Sequence, residues 1–235
     1  MIARPSHERS PEPLHGGFRL TERAFFELPG DGWTYELIGG VVVPKIESEF
    51  SHDTPPKYNG LRMTVAEYAA LPEDGYWCEL IQEVVVSSPS PGRMHQDIAG
   101  LLYFLLRSHI EVHPGGTLLY ELDVTLGFDE VYRPHLCYFA PGRLDPSSQR
   151  IEVVPDLIIE IVSIGSAARD LNAKRDTYER AGVREYIVVD PIDRRVVTFR
   201  RSAGQFVQAA AGQVMEIETI PGLSLDLSRV RAAFG

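Results

Sequence analysis

The sequence predicts a mixed α/β domain in which helices cover a β-sheet. Three stretches predict it. PDLIIEIV (155–162) is an almost unbroken apolar run, as expected of a strand covered on both faces. A helical pattern follows to Ala181 and then a second apolar strand, EYIVVD (185–190). Upstream, a helix from about Pro91 to Ile110 sets Ile98, Leu101, Leu102, Leu105 and Ile110 on one broad face that suits a sheet.

In chain order, residues 1–18 hold Pro5, Pro11, Pro13 and a Gly-Gly pair with few large apolar side chains, so a flexible tail is expected. Residues 19–43 and 62–86 then form an internal repeat at an offset of 43 residues, with 12 of 25 positions identical. Each copy reads as a short helix, a Pro/Asp/Gly turn and two strands joined tightly at Ile-Gly-Gly-Val or Ile-Gln-Glu-Val. Thr64 and Glu67 make a capping box in the second copy; the first has Ala24 in the glutamate's place. Between the copies, 44–61 is polar, holds three prolines and reads as a linker.

The helix from Pro91 carries His95 in its first turn, either a site residue or a surface or capping histidine. Gly115-Gly116 ends that segment. Two alternating strands about Gly-Phe-Asp-Glu follow as a hairpin, with Arg133, His135, Cys137 and Phe139 on one face of the second. Residues 140–149 are a loop. On the strand 155–162, Asp156 and Glu160 point the same way but stand about 13 Å apart, so only one can serve a given site. Glu160 is favoured because it faces the Ser163–Ser166 turn. The helix from about Ala167 to Ala181 stops at Gly182 and places Lys174 one turn before Tyr178, with Leu171 and Ala181 on the same face. Taken alone, such a lysine reaches out to solvent. Strands on either side of Asp190-Pro191, two short strands near 206–209 and 214–217, and a last helix LSRVRAAF complete the chain.

At 235 residues the chain suits one sizeable domain with appendages. No apolar run spans a membrane and the first residues lack a signal-peptide core, so the cytoplasm is expected. Cys78 and Cys137 then read as reduced core residues. A net charge of −10 argues against a broad basic surface that grips nucleic acid, but not against a metal-dependent nuclease, whose site is itself acidic. Metal-assisted phosphodiester hydrolysis needs an inward carboxylate on a buried strand, further acidic or imidazole ligands and a nearby cation. Glu160 and Lys174 offer the start of such a set.

Residues 62–95, LDVTL, VPDLIIEIVS and the run from Lys174 to Pro191 together resemble the Uma family of restriction-endonuclease-like proteins, in the PD-(D/E)XK nuclease superfamily. The resemblance covers about residues 62–232 and implies a nuclease domain over 62–235. It implies a central mixed β-sheet with flanking helices, a magnesium or manganese site, DNA as substrate and a homodimer. Glu79 and Glu160 would be its acidic residues, Lys174 its lysine, and His95 its histidine after the Ser-Pro run. Ser163 stands where the superfamily's lysine usually is. The main departure is Arg133-Pro134-His135, where the family reads Pro-Asp and the aspartate is the central metal ligand. A metal set of Glu160, His135 and Glu79 therefore carries less negative charge and a softer donor. Two functions follow: a metal-dependent endonuclease weakened by His135, or a degenerate nuclease fold that binds nucleic acid or protein. Zinc on His135 and Cys137 is a third reading with few visible ligands.

Overall fold

The computed structural model describes residues 15, 18–28, 35–38, 41–44, 56–72, 76–88, 92–113, 115–127, 130–148, 150–162, 169–210 and 212–234. Nearly all of the expected tail, residues 45–55 of the expected linker, and the Ser163–Ser166 turn lie outside the described residues.

The first copy of the repeat supplies α1 (Glu22–Phe26), β1 (Tyr35–Ile38) and β2 (Val41–Pro44), and the second supplies α2 (Val65–Tyr68), β3 (Trp77–Ile81) and β4 (Val84–Ser88). Their backbone contacts recur 43 residues apart. Arg19 bridges Val41 as Arg62 bridges Val84, and Val42 N–H donates to Phe18 as Val85 N–H donates to Leu61, each at 2.8 Å. Thr64 and Glu67 close both halves of the capping box, whereas Thr21 makes only its own bond to Ala24 N–H.

α3 (Arg93–Val112) begins after Gly92, which caps it through the backbone alone. The expected hairpin follows, but each of its strands is broken in two. β5 (Thr117–Tyr120) and β8 (Leu136–Phe139) pair in one sheet, and β6 (Val124–Gly127) and β7 (Glu130–Tyr132) pair in another. The break has local causes: Glu121 adopts a left-handed φ of 47°, and Pro134 has no N–H to give to a ladder.

β9 (Leu157–Ile161) leads through a turn of π-helix (Arg169–Lys174) into α4 (Arg175–Ala181), which ends at Gly182 with φ 98° as a left-handed cap. β10 (Glu185–Asp190) lies parallel to β9, and β11 (Arg195–Ser202) and β12 (Gln205–Gln208) follow antiparallel. β13 (Val214–Glu216), β14 (Ser224–Asp226) and α5 (Leu227–Ala232) close the chain.

The main sheet is mixed, in the order β12-β11-β10-β9-β8-β5, and a second sheet runs β4-β3-β7-β6. Alternation along β9 divides the core. Leu157, Ile159 and Ile161 pack with the apolar faces of α3 and α5, while Ile158 and Val162 pack with Tyr178, Val183 and residues of the second sheet. Both cysteines are buried, and neither forms a disulfide among the described residues. No helix among the described residues is long and apolar enough to cross a membrane.

Candidate active site

Glu160 sits on β9, the strand shared by the two halves of the core, and its side chain is fully buried. It points away from the α3 layer, toward the break in the long hairpin and the start of α4. Five parts of the chain bring polar groups to it or to its partners.

The turn of π-helix delivers Lys174, whose Nζ lies 2.7 Å from Glu160 Oε1 and 2.9 Å from Glu79 Oε1. This lysine is only 3% exposed, so the expected reach to solvent is corrected: two carboxylates hold it inside. One turn on, the Tyr178 hydroxyl donates to the same Glu160 oxygen at 2.8 Å. Burial and the neighbouring Glu160 charge push the Tyr178 phenol well above its ordinary value, so it stays a donor. Glu79, on β3, also accepts the Arg133 backbone N–H at 3.0 Å.

His135 reaches Glu160 from the break itself. β8 and β9 pair with Leu136 opposite Ile159, and one further step of that register sets His135 across from Glu160. Its Nδ1 is hydrogen-bonded with Glu160 Oε2, and the Ile161 N–H lies 3.3 Å from the same nitrogen. His95 packs against His135 with ring centroids 4.4 Å apart and the planes tilted by 54°, its Nε2 lying 3.2 Å from the Ile161 carbonyl, while its buried Nδ1 has no partner among the described residues. Burial and the adjacent His135 lower the His95 pKa to about 4, so its ring is neutral at pH 7.

Burial alone would raise the pKa of Glu160. The Lys174 ammonium and then His135 outweigh it and hold the carboxyl well below the usual range. All five expected residues therefore meet in one place: Glu160, Lys174, Glu79 and His135 through direct bonds, and His95 through its ring.

Asp156 lies apart from this cluster. It accepts the Ala140 N–H and lies 3.6 Å from both Arg143 and Arg184, so it braces the far end of the strand. Two neighbours were not singled out from sequence. Tyr178 was visible as the i+4 partner of Lys174. Glu121 had no local signal: it sits at the other side of the hairpin break, with a buried Oε1 that lacks a partner among the described residues, and burial raises its pKa.

A divalent ion fits this arrangement poorly. Among the described residues no three His, Cys, Asp or Glu side chains are placed to hold one together. Lys174 stands between the two carboxylates, and both oxygens of Glu160 are engaged. By donor type, two carboxylates and an imidazole suit manganese better than magnesium. Zinc on Cys137 is disfavoured, because burial and then Glu160 push that thiol up to about 12.

Comparison with known proteins bears on the fold and the family. No curated protein matches the sequence. A crystal structure described as a putative nuclease belonging to DUF820 from Anabaena variabilis has a similar fold, with a TM-score of 0.64. The match covers 73% of this chain and 99% of that one at 19% identity. The family profile named Uma2, with the description "Putative restriction endonuclease", matches residues 65–228 and so spans Glu79, His95, His135, Glu160 and Lys174. With more than half of its length matched, the chain belongs to the Uma2 family.

Proposed function

We propose that this protein hydrolyses phosphodiester bonds in DNA, with the Glu160 cluster as its reacting centre. The observation that supports this most is the buried Lys174 joining Glu79 and Glu160 from separate elements. A buried ion pair is a weak device for stability, since apolar side chains of similar volume do as well or better. Clusters of perturbed, buried charges are where chemistry is concentrated.

In this reading Lys174 Nζ offsets the negative charge that grows on the scissile phosphate. Glu79 and Tyr178 orient Lys174 and Glu160 respectively. His95, tilted by 54° against His135 with ring centroids 4.4 Å apart, supports that ring from the side of α3. Manganese is the ion of this proposal, ahead of magnesium, because an imidazole replaces a hard oxygen donor. Glu160, His135 and Glu79 are the residues that would hold it, and only if it displaced Lys174 or His135 from Glu160, whose two oxygens are both engaged. The active species is proposed to be a homodimer.

The test is nicking of supercoiled plasmid in manganese, magnesium or EDTA. Manganese-dependent nicking is expected, with loss in Glu160→Gln and in Lys174→Met. Cleavage that survives both substitutions belongs to a contaminant and ends the proposal.

One observation favours a second reading, a nuclease fold that binds nucleic acid or protein without cutting. His135 and Lys174 already satisfy Glu160, and Glu79, Glu160 and Lys174 together carry a charge of only −1. His135→Asp separates the two readings. A gain of cleavage in the variant, with none in the parent, supports the second; silence in both removes the metal-site basis of the first.

A further inference from the structure

Beside the Glu160 cluster lies a cavity of about 410 Å³ that the reaction outlined above does not use. Tyr58, Tyr68, Tyr76 and Trp77 form its aromatic walls, and Asp123 and Arg133 stand at its polar end. The volume is within the roughly 300–1,000 Å³ usual for small-ligand sites.

The polar end is fixed yet has bonding capacity left over. Arg133 Nε donates to Asp123 Oδ1 at 2.7 Å, and both side chains remain partly open, at 27% and 34% exposure. The terminal amino groups of Arg133 make no hydrogen bond among the described residues. Asp123 Oδ2 has only a long approach, 3.4 Å, from the Tyr68 hydroxyl, which gives its main bond to the Cys78 carbonyl at 2.7 Å. That bond locks the Tyr68 ring in place. The cavity thus offers flat aromatic surface, one carboxylate oxygen that can accept, and guanidinium N–H groups that can donate.

We propose that this cavity holds one unpaired nucleobase of a bound strand, stacked on the aromatic walls and read along its pairing edge by Asp123 and Arg133. A base brings a π-face for the walls and, on its pairing edge, a donor next to an acceptor. Enzymes that take up a single base use this combination of stacking and edge bonding. A base inside a duplex cannot present that edge, so the ligand is a single-stranded or flipped-out nucleotide.

Location supports the assignment. The backbone N–H of Arg133 is bonded to Glu79, and Arg133 is two residues from His135, about 7 Å along an extended chain. Arg133 therefore ties the polar end of the cavity to the cluster through its main chain. Asp123 and Arg133 flank the hairpin break on its two strands, so the break that turns His135 toward Glu160 also builds the polar end of the cavity. The proposal rests on the nucleic-acid part of the reading above, and not on cleavage.

Binding in EDTA tests it apart from catalysis. The probes are single-stranded DNA hexamers, each of one base, and an abasic hexamer with the same phosphates. Trp77 fluorescence reports in a Trp33→Phe background. Base-bearing hexamers are expected to quench Trp77 and to bind about ten-fold or more tighter than the abasic one. Tyr76→Ala should remove most of that ratio. Asp123→Asn, which keeps the shape of the pocket, should change the order of preference among the bases. Equal affinity for abasic and base-bearing hexamers overturns the proposal, as does an unmoved Trp77 signal or an unchanged ratio and order in both variants. A chain that fails to nick plasmid yet keeps the base preference loses the nuclease reading and retains the pocket.

Discussion

Removing the Lys174 ammonium while keeping its bulk, as in Lys174→Met, strands two carboxylates in the core. Glu160 is fully buried and Glu79 is 6% exposed, so neither can recover its lost partner from water. Breaking a buried pair on one side costs about 3–5 kcal/mol, most of it from the uncompensated charge. For a chain of this size, that lowers Tm by roughly 6–20 °C. The sign with pH follows from Glu160. Its carboxyl is held below the ordinary 4.5 in the wild type, so its contribution is present above that value and fades as pH falls through the lower folded value. In the variant burial dominates and raises the folded pKa, so the penalty is largest near neutrality and shrinks as pH is lowered. Urea unfolding of the wild type, Lys174→Met, Glu160→Gln and the double variant forms a thermodynamic cycle. The double variant should be more stable than the sum of the single losses predicts, because removing both members of the pair leaves less charge stranded. A Lys174→Met cost below about 1 kcal/mol, or strict additivity, would falsify the picture of one coupled buried network.

His95 makes a second, acid-side prediction. Its folded pKa of about 4 lies below the ordinary 6.5, so between those values the unfolded chain binds a proton that the folded chain refuses. Stability in EDTA should fall by up to about 3 kcal/mol as pH drops through that window, and His95→Gln should flatten the slope there; an unaltered slope assigns the acid sensitivity elsewhere. A third prediction concerns the entry to β5. Gly116 has φ 79°, and a Cβ placed there would lie 2.3 Å from the Phe139 carbonyl oxygen and 2.5 Å from the Tyr138 ring. Gly116→Ala should cost more than about 2 kcal/mol, since the carbonyl belongs to the β8 ladder and cannot move aside. A change within 0.5 kcal/mol, roughly the scatter of neutral surface substitutions, would contradict that.

Much of the site was legible because its signals are local. The alternation along 155–162 puts Glu160 on the face opposite Leu157, Ile159 and Ile161, and the four-residue step from Lys174 to Tyr178 puts both on one side of their helix. The Thr64–Glu67 box is a three-residue contact and forms as read. What escaped is set by distant partners. Nothing in Thr117–Phe139 says that one hairpin will serve two sheets, although Pro134 marks where it breaks. The π-turn at Arg169–Lys174 leaves no trace in the hydrophobic period, yet it precedes the α-turn that carries Tyr178, and both residues reach the same oxygen of Glu160. The fate of Lys174 depended on Glu79, 95 positions away in the chain; a lysine beside an apolar stripe goes to water unless such a partner waits inside.

The residue at 135 sets fold stability against ion affinity. Its place in the register, directly across from Glu160, means that an aspartate there would oppose one carboxylate to another, an arrangement that destabilises a strand pair unless a cation intervenes. With Glu79 nearby, a single lysine would then face three negative charges, and the empty site would draw in a divalent ion strongly. The histidine removes both effects. It closes the same gap with a hydrogen bond between Nδ1 and Glu160, so the two strands meet without any ion, and it leaves the cluster one carboxylate poorer than an aspartate would. A histidine at 135 therefore lets the two strands close without an ion, and His135→Asp is expected to trade that self-sufficiency for a stronger hold on a divalent ion, read as a lower Tm in EDTA and a larger rise of Tm on adding manganese.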